Sequence, residues 1–326
     1  MKRNIYALTF YAAIALCFSC GQRPLGEHIG VTTYSYAVKD GDTLHMDVYL
    51  DSTKLHADEK LPVFLFSFGG GWTSGKRQDG QALLEDAAHH GYVGVGIDYR
   101  LGIRALSKQG VNIDSTNFAS SYSMAITWGI EDLFDATCFV IDHADELHAD
   151  TCRIIACGSS AGATNSLTAE YLISTHDSLA ASRLPQGFNY AAIVPFAGGV
   201  WLAGTDTLVW QRTPCPVLAY HGTDDQLVPY NKVLVQQGAF GGFGPGYYMP
   251  QLREMQVPSL FHTYQGGDHM ISALGSSPDA RAEMFSTLDR LVMRGSKATI
   301  TITDEYFGVP PTFGNFKETL VDLNIK

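Results

Sequence analysis

The chain has 326 residues, 45% hydrophobic and 17% charged, a composition that fits a globular protein with one sizeable core. Its 33 acidic residues against 22 Lys and Arg give a formal net charge of -11, which argues against nucleic acid as a partner. The charge otherwise reads as solubility and points to no cationic substrate.

Met1-Lys2-Arg3-Asn4, an apolar stretch from Ile5 to Phe18 and then Ser19-Cys20 read as the charged, hydrophobic and small-residue regions of an export signal. Leu16-Cys17-Phe18-Ser19-Cys20 resembles the end of a bacterial lipoprotein signal, with Cys20 as the lipidated first residue. It departs from that pattern in having Cys17 where the leucine usually stands and Leu16 one place earlier, so an uncleaved or differently cleaved signal is the alternative. Removal of residues 1–19 takes away Lys2 and Arg3 and no acid, which moves the net charge from -11 to -13. No later stretch is long and apolar enough to span a bilayer, so the expected mature protein is tethered in the bacterial cell envelope by lipid alone, as a periplasmic or outer-membrane lipoprotein.

Residues 31–38 and 43–50 flank Lys39-Asp40-Gly41-Asp42, and in the second run apolar Leu44, Met46, Val48 and Leu50 alternate with other residues; an antiparallel hairpin is expected. Short continuous apolar runs follow at 62–67, 92–97, 153–157, 191–197, 216–220 and 259–264, with helical patterns at 80–90, 120–148, 161–175 and 278–294 between them. Strands buried on both faces and alternating with helices describe an α/β protein: a mostly parallel sheet covered on both sides, with an antiparallel start. Residues 21–326 are read as one domain with a C-terminal extension from about 297, which includes the β-like run ATITIT. Residues 101–118 and 238–252 look long and irregular, and loops of that kind tend to be functional. The second contains GAFGGFGPGYY, which could stack on a sugar or aryl group or serve only as a connection.

Besides Cys17 and Cys20 there are Cys138, Cys152, Cys157 and Cys215. The last three lie in or beside apolar runs and read as buried small side chains; pairing is not decided by sequence, no zinc spacing is present and no metal is expected. His143 and His148 are five apart and lack the metalloprotease spacing, so they read as surface histidines.

The run RIIACGSSAGATNSL contains Gly158-Ser159-Ser160-Ala161-Gly162 between an expected strand and an expected helix. That context makes it a candidate nucleophile elbow with Ser160 as nucleophile, its glycines leaving room for a sharp turn. A serine hydroxyl needs a base, and the base an orienting acid. HGTDDQLVP (221–229) and GGDH (266–269) each follow an apolar run, offering Asp225 as acid and His269 as base at carboxyl ends of strands. The order Ser160, Asp225, His269 is that of α/β-hydrolases. Asp224 is the alternative acid, and His221 reads as structural. LPVFLFSFGGGWTSG (61–75) ends an apolar run in three glycines, a costly choice that suggests close backbone approach.

From about residue 42 to residue 294 the sequence resembles an α/β-hydrolase of the esterase/lipase group related to hormone-sensitive lipases and carboxylesterases. The residues that carry the resemblance are FGGGW (68–72), DYRL (98–101), GSSAG (158–162), HGTDDQLVP (221–229) and GGDH (266–269). It implies the α/β-hydrolase fold, a triad of Ser160, Asp225 and His269, and an oxyanion hole from the backbone amides of Gly70, Gly71 and Ala161. Phe68 stands where that group has histidine, so the glycine loop is expected to be braced by packing of Phe68 and Trp72. Tyr99 and Arg100 read as structural, with at most a bracing part.

These readings lead to a serine carboxylic-ester hydrolase that needs no cofactor and acts on a small-molecule or glycan-linked ester, with small acyl or hydroxycinnamoyl groups as the envisaged cargo. The alternatives are a serine peptidase of the same fold and a lipoprotein that only binds a ligand. Nucleic acid is not an expected partner, and membrane contact is expected only through the anchor at Cys20.

Overall fold

A computed structural model describes residues 26–56, 59–235 and 240–306. The expected export signal, the expected anchor at Cys20 and residues 307–326 lie outside the described residues. In chain order the strands are β1 (Ile29–Lys39), β2 (Asp42–Asp51), β3 (Leu61–Ser67), β4 (Val93–Ile97), β5 (Ala149–Ser159), β6 (Ala192–Phe196), β7 (Val200–Ala203), β8 (Val217–Gly222), β9 (Lys232–Val235), β10 (Phe240–Phe243), β11 (Ser259–Gln265) and β12 (Thr299–Glu305). The α-helices are α1 (Gln81–His89), α2 (Gly102–Lys108), α3 (Phe118–Asp142), α4 (Ala161–Ser174), α5 (Ser178–Arg183), α6 (Pro245–Glu254) and α7 (Pro278–Leu288).

Nine strands form one sheet in the order β1-β2-β4-β3-β5-β6-β8-β11-β12. The pairs β1/β2 and β2/β4 are antiparallel and the other six are parallel. The opening hairpin turns through Asp40 (φ 52°) and Gly41 (φ 87°), the left-handed pair that a two-residue hairpin loop requires. β4, β6 and β8 are buried along their whole length because helices cover both faces: α1 and α7 pack together on one, α3 and α4 on the other.

Several expectations are corrected. Residues 240–252, within the stretch 238–252 read as irregular, are not a loop. From Phe240 on they form β10, the middle strand of a small antiparallel sheet β7-β10-β9, and then α6. Phe240, Phe243 and Tyr248 are all buried, so none of them offers a ring to a ligand; the glycines between them masked a four-residue strand. Residues 101–118 contain α2, and the helix expected to run to 148 ends at Asp142. ATITIT becomes β12, a parallel edge strand on β11. Cys152, expected inside, is exposed: β5 skips register between its pairings with Pro62 and Val63, and this pushes residues 151–153 out of the ladder. Cys157 and Cys215 are buried, and the four described cysteines are free thiols.

Candidate active site

The site gathers at the carboxyl ends of β3, β5, β8 and β11, where a parallel sheet leaves a crevice. β5 runs straight into α4 through Ser160, whose backbone is held at φ 48°, ψ -114°, a strained conformation for a residue with a side chain. The turn is possible because Gly162 packs against β3; a Cβ there would lie 2.1 Å from the carbonyl oxygen of Ser67. The Ser160 amide donates to the Phe196 carbonyl at 2.9 Å, and Ser159 Oγ donates to the Ser272 carbonyl at 2.7 Å. The elbow is thereby fixed to β6 and to the 3-10 segment His269–Ser276.

His269 follows β11 and turns its ring back over Ser160. Its Nε2 is 2.7 Å from Ser160 Oγ and its Nδ1 is 2.8 Å from Asp225 Oδ2. A carboxylate only accepts, so Nδ1 carries the proton and Nε2 presents its lone pair to the serine hydroxyl. Asp225, on the loop after β8, is buried and receives the Leu227 and Val228 amides on Oδ1 at 2.8 and 2.9 Å. Burial by itself would raise this carboxyl, but the electrostatic attraction of His269 and the hydrogen bonds from His221 and His269 outweigh it and hold Asp225 well below the usual carboxylate range. Asp224 points outward, is exposed and accepts from Thr223 Oγ1, so the structure brings Asp225 and not Asp224 to His269. The two loops are laced together: the Asp224 amide donates to the Gly267 carbonyl and the Gly266 amide to Thr223 Oγ1, both at 2.8 Å.

His221, read from the sequence as structural, touches the acid. Its Nε2 donates to the Val228 carbonyl at 3.1 Å and lies 3.3 Å from Asp225 Oδ2. Its place at the head of HGTDD was the available signal, but spacing alone could not show that the loop folds back on the ring.

The first two glycines after β3 have a steric reason. A Cβ on Gly69 would stand 3.2 Å from the Cβ of Ser160, so the loop lies directly against the nucleophile. Gly70 adopts φ 119°, where a Cβ would sit 2.3 Å from the Ser74 carbonyl oxygen. The carbonyl of Gly70 is taken by the Thr73 and Ser74 amides and by Thr73 Oγ1. The Gly70 and Gly71 amides have no acceptor among the described residues, and the Ala161 amide, first in α4, has no carbonyl a turn behind it. In place of histidine, Phe68 is buried and stacked on Tyr99 with ring centroids 4.3 Å apart, and Tyr99 Oη donates to the Phe68 carbonyl at 2.8 Å. Arg100 is held away from the site by Asp132 and Glu131, and also lies over the Trp128 ring. His143 stacks on Phe139 and His148 is exposed; neither is near the site.

No protein-family model matches the sequence, and no curated protein matches it. Among solved structures the fold is similar to Thermogutta terrifontis esterase 2 phosphonylated by cyclosarin: TM-score 0.55, 20% identity, 82% of this chain and 95% of that chain covered. The propionate-bound form of the same esterase gives TM-score 0.56, 19% identity and coverage of 83% and 97%. Its apo form gives 0.55, 19% and the same coverage of 83% and 97%. Taken with the strand order and the elbow between β5 and α4, this likeness establishes that the chain has the α/β-hydrolase fold.

Proposed function

We propose that this protein is a serine carboxylic-ester hydrolase that works through an acyl-enzyme. The observation that carries the reading is the unbroken chain Ser160 Oγ, His269 Nε2, His269 Nδ1, Asp225 Oδ2, with contacts of 2.7 and 2.8 Å, at a strained turn beside the Gly70 and Gly71 amides, which have no acceptor among the described residues. His269 Nε2 takes the hydroxyl proton as Ser160 Oγ adds to the ester carbonyl. The carbonyl oxygen, now negative, enters the space faced by the Gly70, Gly71 and Ala161 amides, and Asp225 balances the imidazolium. The C–O bond to the alcohol breaks as His269 returns the proton to the leaving oxygen. A water, deprotonated by the same nitrogen, then adds to the acyl-serine and releases the acid and free Ser160.

The similar esterase is described with propionate bound and, separately, as phosphorylated by paraoxon. That supports short acyl chains and an organophosphate-sensitive serine here. Export and lipid anchoring at Cys20 would set the enzyme in the bacterial envelope, where small acyl or hydroxycinnamoyl esters on glycans are the substrates we propose. The test is the rate on p-nitrophenyl acetate, butyrate and octanoate for the chain from residue 21 and its Ser160→Ala variant, together with mass mapping of paraoxon on Ser160. Activity that survives the substitution, or none in a folded wild type, would refute the reading and favour a peptidase or a binding protein.

A further inference from the structure

Three residues in succession, Gly70, Gly71 and Trp72, have left-handed backbones, with φ of 119°, 60° and 56°. For tryptophan this is strained, and such strain persists only when the surroundings impose it. The surroundings do so twice. The Trp72 carbonyl accepts from the Arg104 amide at 3.1 Å, and the indole Nε1–H donates to Asn165 Oδ1 at 3.1 Å, joining residues 93 positions apart.

Asn165 lies on α4, five residues beyond Ser160, and is fully buried. An indole N–H can only donate, so the carboxamide must turn its oxygen toward Trp72. Its Nδ2 is then left without a partner, pressed against α3 at Gly129, where a Cβ would come within 2.4 Å. A buried amide group that leaves a donor unpaired carries a desolvation cost that an apolar side chain of similar size would avoid. The accepting oxygen is what such a side chain would lack.

We infer that Asn165 is a positioning residue for the oxyanion hole: through the Trp72 indole it fixes the glycine loop to the helix that presents Ser160, so that one rigid element sets the distance between nucleophile and amide donors. This deepens the ester-hydrolase reading and rests on it. Because the oxyanion exists only after attack, loosening the loop should act on the chemical step and leave ground-state binding alone.

The experiment is a double-mutant cycle of Trp72→Phe, Asn165→Leu and the double variant, with Asn165→Asp as the conservative variant that keeps an acceptor. Kinetics with p-nitrophenyl butyrate are normalised to active sites titrated with paraoxon, so that misfolded protein does not count. Each single variant is expected to lower kcat by about 10- to 100-fold with KM within about twofold, since a misplacement near 1 Å can cost about 10²-fold. The double variant is expected to lose no more than the worse single one, and Asn165→Asp to recover most of the loss. Inhibition by an aliphatic trifluoromethyl ketone, which forms a tetrahedral oxyanion on the serine, should weaken by the same factor as kcat/KM. Losses that multiply in the double variant, a change in KM alone, or an unaltered kcat in Trp72→Phe would each overturn the inference while leaving the esterase reading intact. A wild type that neither hydrolyses the ester nor takes up paraoxon would overturn both.

Discussion

Two histidines seven residues apart, His262 on β11 and His269 just beyond it, are equally buried, at 5% and 6% exposure, and each has a partner on both ring nitrogens. His269 faces a carboxylate and a hydroxyl. His262 faces two carboxylates, Glu283 Oε1 at 2.9 Å on Nδ1 and Asp304 Oδ2 at 3.0 Å on Nε2, with the Tyr264 ring stacked 4.3 Å away. Two carboxylates can be satisfied only by a ring protonated on both nitrogens, so His262 is held as an imidazolium that ties α7 and β12 to β11. Replacing one carboxylate by a hydroxyl leaves a lone pair free to take a proton. Burial does not separate a base from a strut; the acid–base character of the second partner does.

The comparison can be broken most severely at His269. His269→Gln removes the lone pair, and kcat for p-nitrophenyl butyrate should fall by about 10⁶-fold with little change in melting temperature. Asp225→Asn keeps the shape but offers Nδ1 an amide that can impose the wrong tautomer, and stopped-flow turnover should drop about 10⁴-fold. His262→Gln should leave kcat within about threefold and lower stability by about 1–2 kcal/mol in urea unfolding, because Glu283 and Asp304 are partly exposed and retain water. A loss of activity matching that of His269→Gln would erase the distinction between the two rings.

The finest test is the pH dependence of that stability difference. Burial would lower the His262 pKa, but hydrogen bonds and charge from Glu283 and Asp304 outweigh it and raise it. A folded pKa above the unfolded value of about 6.5 means that the contribution is complete below about pH 6.5 and is lost as pH rises through the folded pKa. The gap in unfolding free energy between wild type and His262→Gln should therefore be widest near pH 6 and narrow by pH 9; a gap that widens toward pH 9 would contradict the imidazolium assignment.

The sequence already carried the alternation of buried strands and helices, the strand-to-helix elbow at Ser160 and the stations of Asp225 and His269 after their strands. These are local properties: hydrophobic period, glycines at a turn, and the end of an apolar run are each visible within a dozen residues. What needed the tertiary structure depends on backbone geometry or distant pairing. Asp225 prevails over Asp224 because the loop turns one carboxyl onto two amides and a ring and the other to solvent. His221 reaches the acid because the loop after β8 folds back on its ring, and Asn165 reaches the Trp72 indole because the loop after β3 and α4 converge at one end of the sheet. Glycines hid β10 because Gly241 and Gly242 leave room for the Thr205 carbonyl and the Trp201 ring and so carry no side-chain period, and Cys152 faces water because β5 skips register against β3 between Asp150 and Ile154. Local chemistry is written in order along the chain, whereas convergence is decided by how the whole sheet packs.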